Sequence, residues 1–441
     1  MKKSLVALAA IAAVSAASAQ SSVTLYGVLD IGYGAQTTST RDGSGFLRSR
    51  GVMDGANAGN RIGFRGTEDL GGGLKANFVI EQGISPTTGQ LFGVRAASAG
   101  HQIDGLPSAP VATNLSGTSG AYSTSTNRQA YVGLASDGIG TFNIGWQYTA
   151  LYELGTLSGY AVGSEGIPGA DKAHLHGQYG LTNGTTIRAN MIQYISPNFG
   201  GGFVARVQYG AGTGREDVSS SATGPNGLTT DKNRRFALML QYANGPLSVA
   251  GAYTTNRSTQ ANVNGVLGAA GQTTNVYGYI VGAQPFVPGA PLSGVSRSSN
   301  LFQLGGSYDF GVAKLAGTYN RGKNGGLITS AAAGTSGFNY SYRAYQIGVS
   351  VPFGAIVPFI AYGRATTDSD NPAGIGATAA AAATNRIEDY RQAQIGVRYS
   401  LSKRSTAYAM YGQTINNAAA LAGATSAYKD RKTIVGVQHS F

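Results

Sequence analysis

Residues 236–253 read FALMLQYANGPLSVAGAY. Phe236, Leu238, Leu240 and Tyr242 share one parity, and Ala237, Met239 and Gln241 share the other. Successive side chains of an extended chain point to opposite faces. This alternation therefore describes a strand with one large apolar face and one small or polar face. Asn244, Gly245 and Pro246 are turn residues, and a second alternating run begins at once with Leu247. The stretch reads as a hairpin: two strands of about ten residues and a tight turn.

The same unit recurs at 128–148 (RQAYVGLASDGIGTFNIGWQY), 302–320 (FQLGGSYDFGVAKLAGTYN), 345–363 (YQIGVSVPFGAIVPFIAYG) and 393–412 (AQIGVRYSLSKRSTAYAMYG). Long segments rich in Gly, Ser, Thr, Ala and Asn separate the hairpins. Sixteen strands can be placed, the first near Val23 and the last near Arg431, with short and long connections alternating. That order belongs to an up-and-down antiparallel sheet with turns on one side and long loops on the other.

The 441-residue chain opens MKKSLVALAAIAAVSAASAQ. Two lysines, an apolar run from Leu5 to Val14 and small residues ending at Ala19 have the pattern of a secretory signal peptide, residues 1–19, cleaved near Ala19. The mature chain is expected to start at Gln20. GATAAAAAT (376–384), the longest apolar stretch after it, is too short to span a bilayer as a helix. The absence of cysteine excludes a disulfide framework and a thiolate metal site. The formal charge is +12, or +10 without Lys2 and Lys3, and the cations are spaced singly along strands. This spacing argues against a nucleic-acid partner and for a positive potential lining a surface or cavity.

Many short antiparallel strands suit either a soluble sandwich or a transmembrane barrel. Ile395, Val397, Tyr399 and Leu401 alternate with Gln394, Gly396 and Arg398; Phe203, Ala205, Val207 and Tyr209 alternate with Arg206 and Gln208. Arginine and glycine on the second face, strand after strand, suit a water-filled lumen. The apolar face ends in tyrosines beside the short turns, Tyr242, Tyr308 and Tyr399, as an interfacial girdle would. The barrel is the better fit.

SSVTLYGVLDIGY (21–33), RIGFRGTEDLGGGLKANF (61–78), RQAYVGL (128–134), ISPNFGGGF (195–203) and the terminal HSF (439–441) resemble the general diffusion porins of the Gram-negative outer membrane, of the neisserial and β-proteobacterial type. The resemblance runs from Ser21 to Phe441, strong in the strands and absent from most long loops. It implies an all-β fold: a transmembrane 16-stranded antiparallel β-barrel over residues 20–441, with short periplasmic turns and long extracellular loops. It further implies a homotrimer in the outer membrane, surrounded by lipid and lipopolysaccharide, without cofactor or catalysis. Small hydrophilic solutes and ions would pass by diffusion. A substrate-selective channel and a surface barrel with an adhesive or structural role remain as alternatives.

Strand parity places Asp30, Arg61, Arg65, Lys75, Glu81, Arg128, Arg188, Arg206 and Arg398 on the lumen face, and seven of these nine are basic, which predicts a preference for anions. By resemblance, Arg61, Arg128 and Arg188 form a basic pore constriction. The third long loop, about 149–184, folds into the pore and faces them with Glu165 and Asp171, after Glu153 earlier in the loop. Arg65 and Arg206 read as lower wall charges with generic field effects. Trp146 shares parity with Phe142 and Ile144 and should face outward, to lipid or to another subunit.

His174 and His176 lie on one side of an extended segment, but with only Asp171 nearby they make a poor metal pair. No nucleophile motif follows a strand, and GAGTG (210–214) closes a strand with no helix behind it, so neither an enzyme nor a dinucleotide site is read. The last strand, with Val435, Val437, His439 and Phe441 outward, should pair with the first near VTLYG and close the barrel. The resemblance adds that this aromatic end is a signal for the barrel assembly machinery.

Overall fold

A computed structural model describes residues 22–40, 46–91, 128–157, 163–164, 188–211, 230–261, 273–274, 280–281, 295–327, 338–370, 386–416 and 428–441. The wall is formed by β1 (Ser22–Thr40), β2 (Phe46–Asp54), β3 (Arg61–Gly71), β4 (Leu74–Ser85), β5 (Gln129–Ser136) and β6 (Gly140–Tyr148). It continues through β7 (Arg188–Ile195), β8 (Phe203–Ala211), β9 (Thr230–Asn244), β10 (Leu247–Ala261), β11 (Val295–Asp309) and β12 (Lys314–Leu327). The last five strands are β13 (Phe338–Ser350), β14 (Ile356–Ser369), β15 (Arg386–Ser400), β16 (Ser405–Asn416) and β17 (Tyr428–Ser440). Each pairs antiparallel with its chain neighbour, except that β2 and β3 both pair with β1 and share one position, which gives a closed barrel of sixteen. The hairpin that opened the reading is β9–β10, with Asn244 facing Leu247 across Gly245 and Pro246. Gly245 has φ 55°, the left-handed value a two-residue turn of this kind requires.

Closure differs in register from the sequence expectation. β17 pairs with Val28–Thr40 of β1, and of VTLYG only Gly27 is reached, by exchanging two backbone hydrogen bonds of 3.1 Å with Phe441. Val23–Tyr26 pair instead with β3. Tilted strands close a cylinder only with a stagger, so the first and last strands are offset along each other.

The second departure is in the first long connection. β2 prolongs the wall position of β3 beside β1, and only residues 55–60 leave it. Their Gly, Ala and Asn content reads as loop, and no strand was expected at 46–54.

The two faces separate as the alternation requires. Phe236, Leu238 and Leu240 are exposed on the outside, as are Ile395, Tyr399, Val435 and Val437, while Ala237, Met239, Gln394 and Ile434 are buried inside. Aromatic rings cluster at the short-turn rim: Phe203 with Tyr242 at 4.7 Å, Tyr308 with Phe310 at 4.6 Å and Phe142 with Tyr194 at 4.7 Å. Toward the long loops the outward row repeats one order, for example Val349, Ile347, Tyr345, Arg343 on β13 and Ile360, Tyr362, Arg364 on β14. An outward arginine at the bilayer midplane would cost about 2–4 kcal/mol but little at the interface, which is where these stand. Trp146 lies half-buried in the outward row of Phe142 and Ile144.

Inside, the eight-residue helix α1 (Ala150–Leu157) lies against the wall. Ala150 and Leu154 pack on Ala237, Met239, Ala250 and Ala252, and Leu151 packs on Leu301 and Tyr342. The inward alanines of β9 and β10 leave the space that the helix fills.

Candidate functional site

Glu81 on β4 is 4% exposed and is the centre of the charged cluster on the inner wall. Its carboxylate accepts from Arg128 Nε at 2.5 Å and from the Tyr26 hydroxyl at 3.1 Å, and Arg61 Nε lies 3.5 Å away. Arg128 also donates to the Tyr148 hydroxyl at 2.6 Å. The Arg188 guanidinium sits over the Tyr148 ring, 4.8 Å from its centroid, and reaches the same hydroxyl at 3.4 Å. Two guanidiniums thus share one carboxylate, the third joins them through Tyr148, and the node is net positive. Glu81, read from sequence as one wall charge among several, is its hub.

Arg128 and Arg188, read as inward by parity, do reach this cluster, but the parity of their strands is outward. Arg128 lies at a bend just before β5, in phase with the exposed Val132 and not with the inner row. Arg188 pairs with Tyr148 in the row of Ile144 and Ile192, which are exposed outside. Both reach Glu81 or Tyr148 because the chain leaves the wall here. Tyr148 is the last residue of β6, and its ring stacks at 4.4 Å on Tyr152 of the lumen helix.

The helix is held in place by wall side chains. Gln208 of β8 accepts from the Ala150 amide at 2.8 Å and donates to the Tyr148 carbonyl at 3.1 Å, which satisfies a helix-start donor that has no partner within the helix. Arg206 on the same strand pairs with Glu153 at 2.9 Å. Arg206 is therefore a specific anchor of the third loop and not a generic wall charge. Burial pushes the Glu153 carboxyl up to about 7, against the lowering effect of Arg206. Arg65 remains exposed and stacks over Tyr26 at 5.2 Å.

Asp30 is not an open wall charge. It is fully buried, and its carboxylate accepts from the Asn57 and Ala58 amides, both at 2.7 Å, and from the Tyr408 hydroxyl at 2.5 Å. It folds the 55–60 detour onto the inner wall. Arg398 also departs from its reading: it donates to Asn57 at 2.6 Å and to the Gly163 carbonyl at 2.8 Å, with its guanidinium over Phe359. Gln394, two inward positions away on the same strand, accepts from the Ser164 amide at 2.9 Å and donates to the Ser164 carbonyl at 2.8 Å. The Ser164 hydroxyl donates to the Ala56 carbonyl. The third loop is thus tied to the wall at both α1 and Gly163–Ser164. Lys75 stands at the short-turn mouth, 3.6 Å from Asp137.

Glu165, Asp171, His174 and His176 lie outside the described residues, as do residues 1–19, for which a leader was expected. Sequence reasoning missed Tyr26, Tyr148, Gln208, Gln394 and Tyr408 as members of the site. Their signal was available in part: each except Tyr148 is a large polar side chain on the inner parity of its strand.

A family model described as Gram-negative porin matches residues 6–419. Over the full length of both chains the protein is 28% identical to an outer membrane porin protein of Bordetella pertussis. It is 30% identical to outer membrane porin protein 32 of Delftia acidovorans, over 81% of this chain and 77% of that one. The fold superposes on a solved anion-selective porin from Comamonas acidovorans with a TM-score of 0.59 and 22% identity, covering 96% of this chain and 100% of that one.

Proposed function

The chain belongs to the Gram-negative porin family and is an outer-membrane β-barrel, not an enzyme; from this we propose that it is a general diffusion pore, trimeric, with a preference for anions. The observation that carries the anion preference is the node of Arg61, Arg128 and Arg188 around the single carboxylate of Glu81, on the inner wall near α1. A solute passing such a point meets a net positive field in a narrowed channel, and charges that line a constriction set the preferred sign. Arg61, Arg128 and Arg188 are then the constriction, with Glu153 as the acid that opposes them and Glu165 and Asp171 as further acids of the same loop. Arg65 and Lys75 add a positive approach on the short-turn side.

The trimer is supported by the outer face. An open apolar groove of about 550 Å³ crosses β4–β7, lined by Phe78, Val132, Leu134, Phe142, Ile144 and Ile192. In this arc Arg128 and Arg188 are turned to Glu81 and Tyr148, whereas the outward rows of β2, β9, β10, β12–β15 and β17 carry arginines, which supports a subunit contact over the arc.

Liposomes loaded with the purified protein test the pore. Swelling in uncharged sugars of increasing size should slow with size alone, and a small anion should enter faster than a cation of equal size. Saturable entry of one solute only would replace this reading with that of a substrate-selective channel.

A further inference from the structure

We propose that Tyr148 is a positioning residue of the pore: it turns Arg188 and Arg128 into the lumen and ties their charge to the helix of the third loop. The inference rests on the anion-preferring pore proposed above and deepens it by naming the side chain that places its cations.

The three residues share one problem of direction. Tyr148 and Arg188 face each other at the long-loop ends of β6 and β7, in the row of Ile144 and Ile192, which are exposed on the outer face. Arg128 is in phase with Val132, exposed on the same face. Followed along their strands, all three would stand at the edge of the apolar groove over β4–β7. Trp146, the next residue of that row below Tyr148, keeps the outward direction. A guanidinium laid on such a surface without an anion is costly, so turning it inward needs a partner on the lumen side.

The Tyr148 hydroxyl supplies that partner. A phenol oxygen has one hydrogen to donate and two lone pairs, and all three are used here. It accepts from Arg128 Nη2 at 2.6 Å and from Arg188 Nη2 at 3.4 Å, and donates to Glu81 Oε1 at 3.4 Å. Arg128 has a second hold on the wall in Glu81 itself, at 2.5 Å. Arg188 joins the cluster through Tyr148, by the hydroxyl and by the ring, whose centroid lies 4.8 Å from its guanidinium. The negative face of a phenol attracts a guanidinium, so ring and hydroxyl act in the same direction.

The same residue meets the helix. Tyr152 of α1 stacks on the Tyr148 ring at 4.4 Å, with 16° between the planes. The Tyr148 carbonyl accepts from Gln208, whose side chain also accepts from the Ala150 amide at the start of α1. The narrowing of the channel and the direction of two cations therefore depend on one side chain.

The test is a mutant cycle on the purified protein in planar bilayers, read as zero-current potential under a potassium chloride gradient. Y148L should move the potential toward the potassium limit at least as far as R188Q does. Y148L/R188Q should move it by less than the two single shifts together, because the tyrosine acts through the arginine. Y148F keeps the ring and loses the hydroxyl; it should fall between wild type and Y148L, and it serves if Y148L does not fold. A residue that only packs would lower the melting midpoint and leave the shifts additive. Additive shifts, or a potential unchanged in either tyrosine variant, would overturn the proposal. The sign of the wild-type potential bears on the pore reading alone, since the shifts run in the same direction from either sign.

Discussion

Arg206 on the wall and Glu153 on the lumen helix meet at 2.9 Å, the only ion pair among the described residues that joins α1 to the barrel. Burial holds the Glu153 carboxyl at about 7, so it exchanges its proton near neutrality. As pH falls from about 8 to about 6 the lumen loses a negative charge, and anion preference should rise; in E153Q it should stay flat over this window. A folded-state value raised above the ordinary 4.5 also means that stability is fully present below 4.5 and is lost as pH rises through 7. Reversal potentials and thermal melts across this range read the two effects.

Neutralising Arg61 and Arg128 together should lower anion preference more than neutralising Arg65 and Arg206, because Glu81 is then left uncompensated. E81Q should move preference the other way. R128Q should also destabilise the barrel by about 3 kcal/mol, since one partner of a buried pair is removed. Equal effects of the two double variants on reversal potential would argue against the assignment of the constriction.

The latch on the third loop should be separable from its field. Gln394 satisfies both backbone groups of Ser164, so Q394A leaves a buried amide and carbonyl unpaired at a cost of about 2 kcal/mol. The expected result is a larger and noisier single-channel conductance with unchanged ion preference.

At the closure a Cβ on Gly27 would meet the Phe441 ring. G27V should therefore reduce the fraction of heat-resistant folded barrel and lower the unfolding midpoint, by about 2 kcal/mol. G27A, the smaller change, should lie between, as read by gel mobility of heated and unheated samples.

The strand order was legible because a barrel wall has one side in lipid and one in water. Each row, such as Phe236, Leu238, Leu240 against Ala237, Met239, Gln241, then carries its own address. What the alternation could not give lies where the chain leaves the wall. Arg128 and Arg188 sit at strand ends, and their guanidiniums follow Tyr148 toward the helix and not the parity of their strands. Asp30 has the right parity and a different role, because the 55–60 detour that buries it has the composition of any polar loop. Glu81 looked like one more wall charge because only the fold brings Arg61, Arg128 and Tyr26 to it. The stagger at Phe441 is likewise a property of the closed cylinder, absent from either strand alone.

The central claim is an open pore that favours anions through the cluster around Glu81. Its most direct test is the zero-current potential of the purified protein in a planar bilayer under a potassium chloride gradient. Large, permanently open conductance steps with a potential of the sign set by chloride permeability are expected. A potential of the sign set by potassium, or a membrane that stays silent, would contradict the account.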